Sequence, residues 1–187
     1  MFGDLHRKKT LIRNRCAMDV EITHWINSFA GESQFIDLAM IGVTQIGVQL
    51  MVAFVVLQWW SSEGRLHIRH AAICSGFSLL LGLAINQGII LFIHRLRPYD
   101  AGVSHLLIAQ SADWSFPSDH ATASISVAAA FIVQRIPRRG LVLLVMAVLV
   151  CLSRIYVGTH YLTDILGGAT VGIFAAIAVH LFYRENS

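Results

Sequence analysis

Three short blocks of the sequence combine residue types that can bind and attack a phosphate group. They are Arg97-Pro98, then Pro117-Ser118-Asp119-His120, then Ser153-Arg154 with His160 and Asp164 a short distance beyond. Arginine carries a permanent charge and a fork of N–H donors that fits phosphate oxygens. The backbone N–H groups after Ser118 would open a helix, where the helix dipole also favours an anion. These blocks therefore indicate a phosphate site.

The two histidines and the aspartate in these blocks could carry out the chemistry. The spacing of His160 and Asp164 is typical of one face of a helix. A carboxylate placed there can hold one ring nitrogen of the histidine and raise the nucleophilicity of the other. His120 comes from a different segment and is free to protonate a leaving oxygen. We predict phosphoryl transfer, with His160, Asp164 and His120 as catalytic residues.

The composition places this site in a membrane. Of the 187 residues, 56% are hydrophobic and 13% are charged, whereas soluble domains carry about 25% charged residues. Five apolar segments lie at about 35–60, 71–93, 120–134, 141–152 and 165–183. A shorter amphipathic stretch at about 20–29 precedes them. We predict an all-α integral-membrane helical bundle of about five transmembrane helices plus an N-terminal interfacial helix.

Two of the apolar segments are short for this architecture. A span needs ~20 residues, so segments 120–134 and 141–152 must extend into their flanks or lie in the bundle interior. We expect a basic N-terminal tail at 1–17 and one domain at 18–187, because no linker is visible. The three cysteines form no CxxC pair and no Cys/His cluster. We therefore expect neither a disulfide framework nor a metal site.

The distribution of arginines predicts which side of the membrane the site faces. Lysine and arginine accumulate in cytoplasmic loops. Two short basic loops, 61–70 and 135–140, fall on the face opposite the polar loops 94–119 and 153–161. We therefore expect the site outside the cytoplasm, in an inner or plasma membrane.

The basic tail conflicts with this orientation. With an odd number of spans, the tail lies on the same face as the site. A start at Met18 would remove the conflict, because the basic residues of the tail all precede it. A first crossing within 11–34 would also remove it, but that stretch is too polar to favour.

Taken together, the blocks resemble the type-2 phosphatidic acid phosphatase family, over about residues 18–183. The family pattern reads Lys-x6-Arg-Pro, Pro-Ser-Gly-His and Ser-Arg-x5-His-x3-Asp. The third part is complete here, Asp119 replaces the glycine of the second, and Ile90 stands where the first has lysine. The resemblance implies a membrane bundle, no metal or other cofactor, and a phosphohistidine intermediate on His160. It also implies the phosphate-binding residues Arg97, Ser118 and Arg154.

The departures from the family pattern concern the charges around the phosphate. Without a lysine at Ile90 one cation is missing, and His94 or Arg95 could supply it, or the site works with fewer charges. Arg95 can equally be an anchor that snorkels at the end of a span. A carboxylate repels phosphate, so we expect the Asp119 side chain to point away and its backbone N–H to bind the anion. Three loop residues are more typical of solvated positions than of a headgroup pocket: Asp100, His105 and Asp113.

With these departures from the pattern, the sequence resembles the bacitracin-resistance branch of the family. Its members hydrolyse undecaprenyl diphosphate to the monophosphate during recycling of the cell-wall lipid carrier. This resemblance implies a lipid diphosphate as substrate and no nucleic acid as partner. One alternative is a phosphatase for phosphatidylglycerophosphate or phosphatidate. Another is a transport or lipid-binding protein that holds a phosphate headgroup without cleaving it, which would leave the pair of His160 and Asp164 unexplained.

Overall fold

Helices make up the regular secondary structure of this protein. The computed structural model describes residues 17–62 and 64–185, and no β-strand occurs among them. The predicted tail at 1–17 lies outside the described residues, except for residue 17. The helices are α1 (17–27), α2 (Gln34–Leu57), α3 (Arg65–Ile90), α4 (Asp119–Val133), α5 (Pro137–Tyr156) and α6 (Leu162–Glu185), with a short 3-10 turn at Gln58–Trp60.

Four helices are long and apolar enough to cross a membrane, namely α2 with its 3-10 turn, α3, α5 and α6. Helix α4 has 15 residues, so it extends roughly 22 Å, which is less than the ~30 Å of a bilayer core. Most α4 residues are buried, and many are alanine or serine. The predicted all-helical membrane architecture is confirmed, with four spans and one short helix enclosed by them.

The helices extend further into the predicted basic and polar loops than hydropathy indicates. Helix α3 begins at Arg65 and α5 at Pro137, inside the two segments predicted as basic loops. Proline suits the first turn of a helix because the N–H it lacks has no partner there. Helix α5 continues to Tyr156, so Arg154 lies in its last turn. Charged side chains at helix ends reach out of the apolar layer, and hydropathy therefore does not detect these turns.

A glycine on α6 allows close packing against α4. A Cβ atom at Gly168 would lie 2.5 Å from the backbone oxygen of Ser118, which precedes α4. The Thr122 hydroxyl of α4 donates to the Gly168 carbonyl at 3.0 Å. This contact places the first turn of α4, which carries His120, against the first turns of α6, which carry Asp164.

Helix α1 turns its polar side chains towards the bundle. Asp19, Thr23 and Asn27 recur every four residues and are buried, whereas Trp25 and Phe29 are exposed. The Asn27 amide donates to the backbone oxygens of Tyr156, at 2.7 Å, and His105, at 2.9 Å. Helix α1 therefore binds the loops at one end of the bundle. Most of its apolar residues face outwards, whereas Ile26 packs against the core.

The long polar connection 91–118 and the short connection 157–161 meet at the end of the bundle where α1 lies. The Leu107 N–H donates to the Val157 carbonyl at 3.2 Å. Gly158 has a φ of +83°, and a Cβ there would collide with the backbone oxygen of His105. A glycine at this turn therefore allows the two connections to come together.

Candidate active site

A cavity of about 320 Å³ opens where these connections meet. Its charged and ionisable lining residues come from three separate parts of the chain: Arg97, Asp113, Asp119, His120, Arg154 and His160. The three sequence blocks therefore contribute to one site. Asp113, which the sequence placed among solvated loop residues, belongs to the same wall.

His160 lies in the turn between α5 and α6, and its ring is bound on the side away from the cavity. Its Nδ1 is 2.8 Å from the backbone oxygen of Ser115. A carbonyl only accepts hydrogen bonds, so Nδ1 carries the ring proton and Nε2 is unprotonated and can accept from Arg97. Nε2 lies 3.4 Å from Nη1 of Arg97 at the cavity. The unprotonated nitrogen therefore lies beside the Arg97 guanidinium.

The surroundings of His160 keep it neutral. Burial lowers the pKa of His160 to about 4, against the opposing charge of Asp164. The guanidinium groups of Arg154 and Arg97 lower this pKa further, in the same direction as burial. A neutral imidazole at physiological pH is the form that can attack an electrophile.

Asp164 is close to His160, but the two residues do not share a helix. Helix α6 begins at Leu162, after His160, so the interpretation of their spacing as one helical face is wrong. The carboxylate oxygen Oδ2 is 3.6 Å from His160 Nδ1, beyond hydrogen-bonding distance. It accepts instead from the Ser115 hydroxyl at 2.6 Å and from the Tyr161 N–H at 2.8 Å. Ser115 therefore bonds both residues, with its hydroxyl to Asp164 and its carbonyl to His160.

Arg97 is buried among neutral acceptors. Its Nε donates to the Asp113 carbonyl at 2.9 Å and its Nη1 to the Thr159 carbonyl at 3.2 Å. Its Nη2 donates to the Ser111 hydroxyl at 3.3 Å. No carboxylate among the described residues lies within 4.0 Å of its guanidinium. Its charge is fixed in place and is not neutralised by a contact.

Arg154 is similar. Its Nη1 donates to the Thr44 hydroxyl on α2 at 2.9 Å, and its Nε is buried without a hydrogen-bond partner. Within residues 17–62 and 64–185, no carboxylate forms an ion pair with it. A buried cation is costly unless a counter-charge reaches it. An anion in the cavity would provide that charge to both arginines.

His120 lines the cavity from the first turn of α4. Its ring makes no hydrogen bond to any other residue of the described part of the chain, which leaves it free to bind a ligand oxygen. The neighbouring Asp119 also belongs to the lining, and its carboxylate accepts from the Asn86 amide on α3 at 2.7 Å. Asn86 also donates to the Thr122 hydroxyl at 2.9 Å. This network fixes the start of α4 against α3.

The position of the missing family lysine remains uncharged. Ile90 lines the cavity together with Gln87 of the same helix. His94 packs against the Trp114 ring, with centroids 4.8 Å apart, and is not part of the lining. Neither His94 nor Arg95 replaces the lysine in this structure.

Two residues predicted to bind phosphate lie outside the cavity. Ser118 is fully buried, and its hydroxyl oxygen caps α4 by accepting from the Ala121 N–H at 3.5 Å. Arg95 donates to Asp19 at 2.6 Å and to Asp164 at 2.7 Å. Both residues lie near the site, but the Ser118 side chain caps α4 and the Arg95 side chain binds Asp19 and Asp164.

Several site residues were not found from the sequence. They are Asp19, Thr44, Asn86, Gln87, Ser111, Trp114 and Ser115. Ser115 precedes the Pro117 block by two positions, which is the only signal for it. The buried polar stripe of Asp19, Thr23 and Asn27 was visible as a four-residue period, although its partners were not.

Comparison with known proteins identifies the family. The PAP2 superfamily model matches residues 71–187. This chain belongs to the PAP2 superfamily. It is 32% identical to the undecaprenyl-diphosphatase BcrC of Bacillus subtilis (strain 168) over 170 residues, which are 89% of this chain and 83% of that protein. It is 34% identical to phosphatidylglycerophosphatase B of the same strain over 108 residues, or 52% of this chain and 51% of that one.

The fold also matches a solved PAP2 protein. The crystal structure of a transmembrane PAP2-type phosphatidylglycerolphosphate phosphatase from Bacillus subtilis superposes with a TM-score of 0.71 at 21% identity. The match covers 93% of this chain and 88% of that one. The predicted family is confirmed, the chain is a multi-pass membrane protein, and its relatives support a lipid phosphatase.

Proposed function

We propose that this protein hydrolyses undecaprenyl diphosphate to the monophosphate, through a phosphohistidine on His160 and without a metal. The observation that carries the proposal is the position of His160 Nε2. It is unprotonated, buried and 3.4 Å from Arg97 at the wall of the cavity. To bind a phosphate headgroup, the arginines are sufficient, whereas an unprotonated histidine nitrogen beside them is required only for attack on phosphorus.

In the first step, the terminal phosphoryl group occupies the cavity. Arg97 and Arg154 donate to its non-bridging oxygens and stabilise the charge that develops on them. His160 Nε2 forms a bond to phosphorus as the bond to the bridging oxygen breaks. Burial and the nearby arginine charges lower the pKa of His120 to about 3, and the negative charge of the bound phosphate opposes this, so that His120 takes up a proton as the substrate binds. His120 gives that proton to the bridging oxygen, which leaves on the lipid monophosphate.

In the second step, water replaces the histidine. His120, now neutral, takes a proton from a water molecule that attacks phosphorus. The bond between phosphorus and His160 breaks, and inorganic phosphate leaves. In the intermediate the His160 ring is positively charged, because Nδ1 keeps its proton. The Asp164 carboxylate, 3.6 Å away, stabilises that charge.

The choice of substrate is supported by the relative that aligns over most of both chains, an undecaprenyl-diphosphatase. The match to phosphatidylglycerophosphatase B, over about half of each chain, favours a second candidate, a phospholipid monophosphate. Direct comparison of the rates on these two lipids decides between them.

The test uses purified protein in detergent with EDTA present. We expect phosphate release from undecaprenyl diphosphate, and we expect His160→Ala to abolish it. His105→Ala is the matched control, because His105 is exposed at the same end of the bundle and its backbone, not its ring, makes the hydrogen bonds to Asn27. Activity in His160→Ala would refute the mechanism, and loss of activity with EDTA would refute metal independence. Lipid binding without any phosphate release would favour the binding protein.

We also propose that the site faces the extracytoplasmic side. Asp100→Cys would place a thiol in the loop beside the site, and Arg138→Cys would place one at the opposite end. In intact cells a membrane-impermeant maleimide should label the first and not the second, above the background of the native cysteines. The reverse pattern would place the site on the cytoplasmic side.

A further inference from the structure

Arg95 joins two carboxylates behind the cavity. Its Nη1 donates to Asp164 Oδ1 at 2.7 Å and to the Thr163 hydroxyl at 2.6 Å, and its Nη2 donates to Asp19 Oδ2 at 2.6 Å. Its guanidinium carbon lies 3.8 Å from the centre of the Tyr161 ring. Both ends and one face of the guanidinium are therefore held. Asp19 belongs to α1 and Asp164 to α6, so a single side chain connects the N-terminal helix to the site.

The connection continues from Asp164 to His160. Asp164 Oδ1 is bound by Arg95, and Oδ2 is bound by the Ser115 hydroxyl. The Ser115 carbonyl in turn accepts the proton of His160 Nδ1 at 2.8 Å. A displacement of Asp164 would therefore be transmitted through Ser115 to the ring of His160.

Asp19 is built into this arrangement more firmly than a surface ion pair. It is 6% exposed although it lies on a helix whose other face points outwards. Its Oδ1 accepts from the Thr163 N–H at 3.0 Å, and its Oδ2 from the Thr163 hydroxyl at 2.6 Å. It thus binds the first turn of α6, which contains Asp164. Arg95 remains 31% exposed, so without Asp19 its guanidinium could turn towards water.

We propose that Asp19 is a positioning residue, which acts through Arg95 to hold Asp164 and so to orient His160. The proposal rests on the proposed function, in which His160 is the nucleophile. It gives α1 a role in turnover.

The principal test is Asp19→Asn. The amide keeps an acceptor for Thr163 but loses the charge that holds Arg95. We expect kcat to fall about tenfold while KM stays within about twofold, because the group acts on the nucleophile and not on the bound lipid. Asp19→Glu keeps the charge and should recover most of the loss. Glu21→Gln is the control, since it removes a carboxylate from the exposed face of the same helix.

A double-mutant cycle separates positioning from simple capping of α6. Arg95→Gln should lower kcat at least as much as Asp19→Asn. If Asp19 acts through Arg95, adding Asp19→Asn to Arg95→Gln should lower kcat no further. If the two losses multiply, the proposal fails. Because Arg95 also donates to the Thr163 hydroxyl, Thr163→Val is measured beside them, and if it lowers kcat as much as Asp19→Asn, Asp19 serves only to bind Thr163 and the proposal fails as well. If Asp19→Asn does not fold, the effects of Asp19→Glu and Arg95→Gln on kcat and KM decide, and a change in KM alone refutes it.

His160→Ala in the same assay separates this inference from the proposed function. If His160→Ala is inactive and Asp19→Asn matches wild type, the inference alone is wrong. If His160→Ala is active, the proposed mechanism is wrong and the inference with it.

Discussion

The cavity and the cluster behind it both contain arginine, but among the described residues only in the cluster do carboxylates contact the guanidinium. Arg97 and Arg154, in the cavity, bind backbone carbonyls and hydroxyls and have no carboxylate of the described chain in contact. Arg95, in the cluster, lies between Asp19 and Asp164. The first arrangement leaves positive charge available for a ligand, whereas the second neutralises it within the protein. Charge left unneutralised in a buried site indicates where an anion binds.

The largest expected effect comes from removing a cation of the cavity. Arg97→Gln keeps a hydrogen-bonding side chain, but it removes a positively charged group that would donate to the oxygens of the transferred phosphoryl group. We expect kcat/KM to fall by about 10²–10³, as when one preorganised donor of a transition state is lost. The assay is phosphate release from the lipid substrate.

The control for this variant lies at the opposite end of the bundle. Arg138 is exposed there, and Arg138→Gln should keep kcat/KM within about twofold of wild type, as is usual for a surface substitution. If Arg97→Gln and Arg138→Gln had equal effects, the cavity arginines would not differ from surface arginines in the way described.

The contrast between Arg95 and Arg97 shows what the sequence could predict. The motif predicted Arg97 as a site residue, Arg95 was a candidate only as a replacement for the missing lysine, and the apolar segments predicted the bundle. Which of the two faces the cavity depends on Asp19, whose partner Thr163 is 144 positions away. A single sequence contains no periodicity that connects such residues. His160 and Asp164 are a second example, because their spacing predicted proximity but not that Ser115 would lie between them.

A smaller effect should follow when Arg154 loses its hydrogen bond to the Thr44 hydroxyl. Thr44→Val removes the hydroxyl that holds Nη1, in a buried position on α2. A hydrogen bond to a charged group contributes about 1.5–3 kcal/mol, so we expect kcat/KM to fall about tenfold or more. The control is Thr170→Val, because Thr170 is exposed on α6 and its hydroxyl donates to the Leu166 carbonyl of the same helix. Equal activity of the two variants would show that Arg154 does not need Thr44.

The pH dependence of the rate tests the charge of the cavity directly. His160 must be neutral to attack, and its pKa is about 4. Activity should therefore persist below the ordinary histidine pKa of about 6.5 and fall as the pH drops through about 4. Arg97→Gln removes a positive charge and raises the pKa of His160. The fall in activity at low pH, the acid limb of the profile, should therefore move to higher pH. The measurement is kcat/KM from about pH 3 to about pH 8 for both proteins.

Using one substrate for both proteins removes the ionisation of the lipid from the comparison. The other groups that face His160 are Arg154, Asp164 and His120. Arg97 also lowers the pKa of His120, so the variant should raise the pKa of both histidines. A limb at the same pH in both proteins would mean that Arg97 does not act on the charge of His160.

The smallest expected effect concerns the carboxylate in the cavity wall. Asp119→Asn keeps an oxygen that can accept from the Asn86 amide and removes one negative charge beside the anion site. Attraction between the site and phosphate should then increase, because Arg97 and Arg154 are opposed by one charge fewer. We expect the inhibition constant for inorganic phosphate to fall about threefold, with a smaller change at high salt. If phosphate bound more weakly to this variant, the Asp119 carboxylate would instead act by supporting the charge of Arg154, and the cavity would resemble the paired cluster behind it.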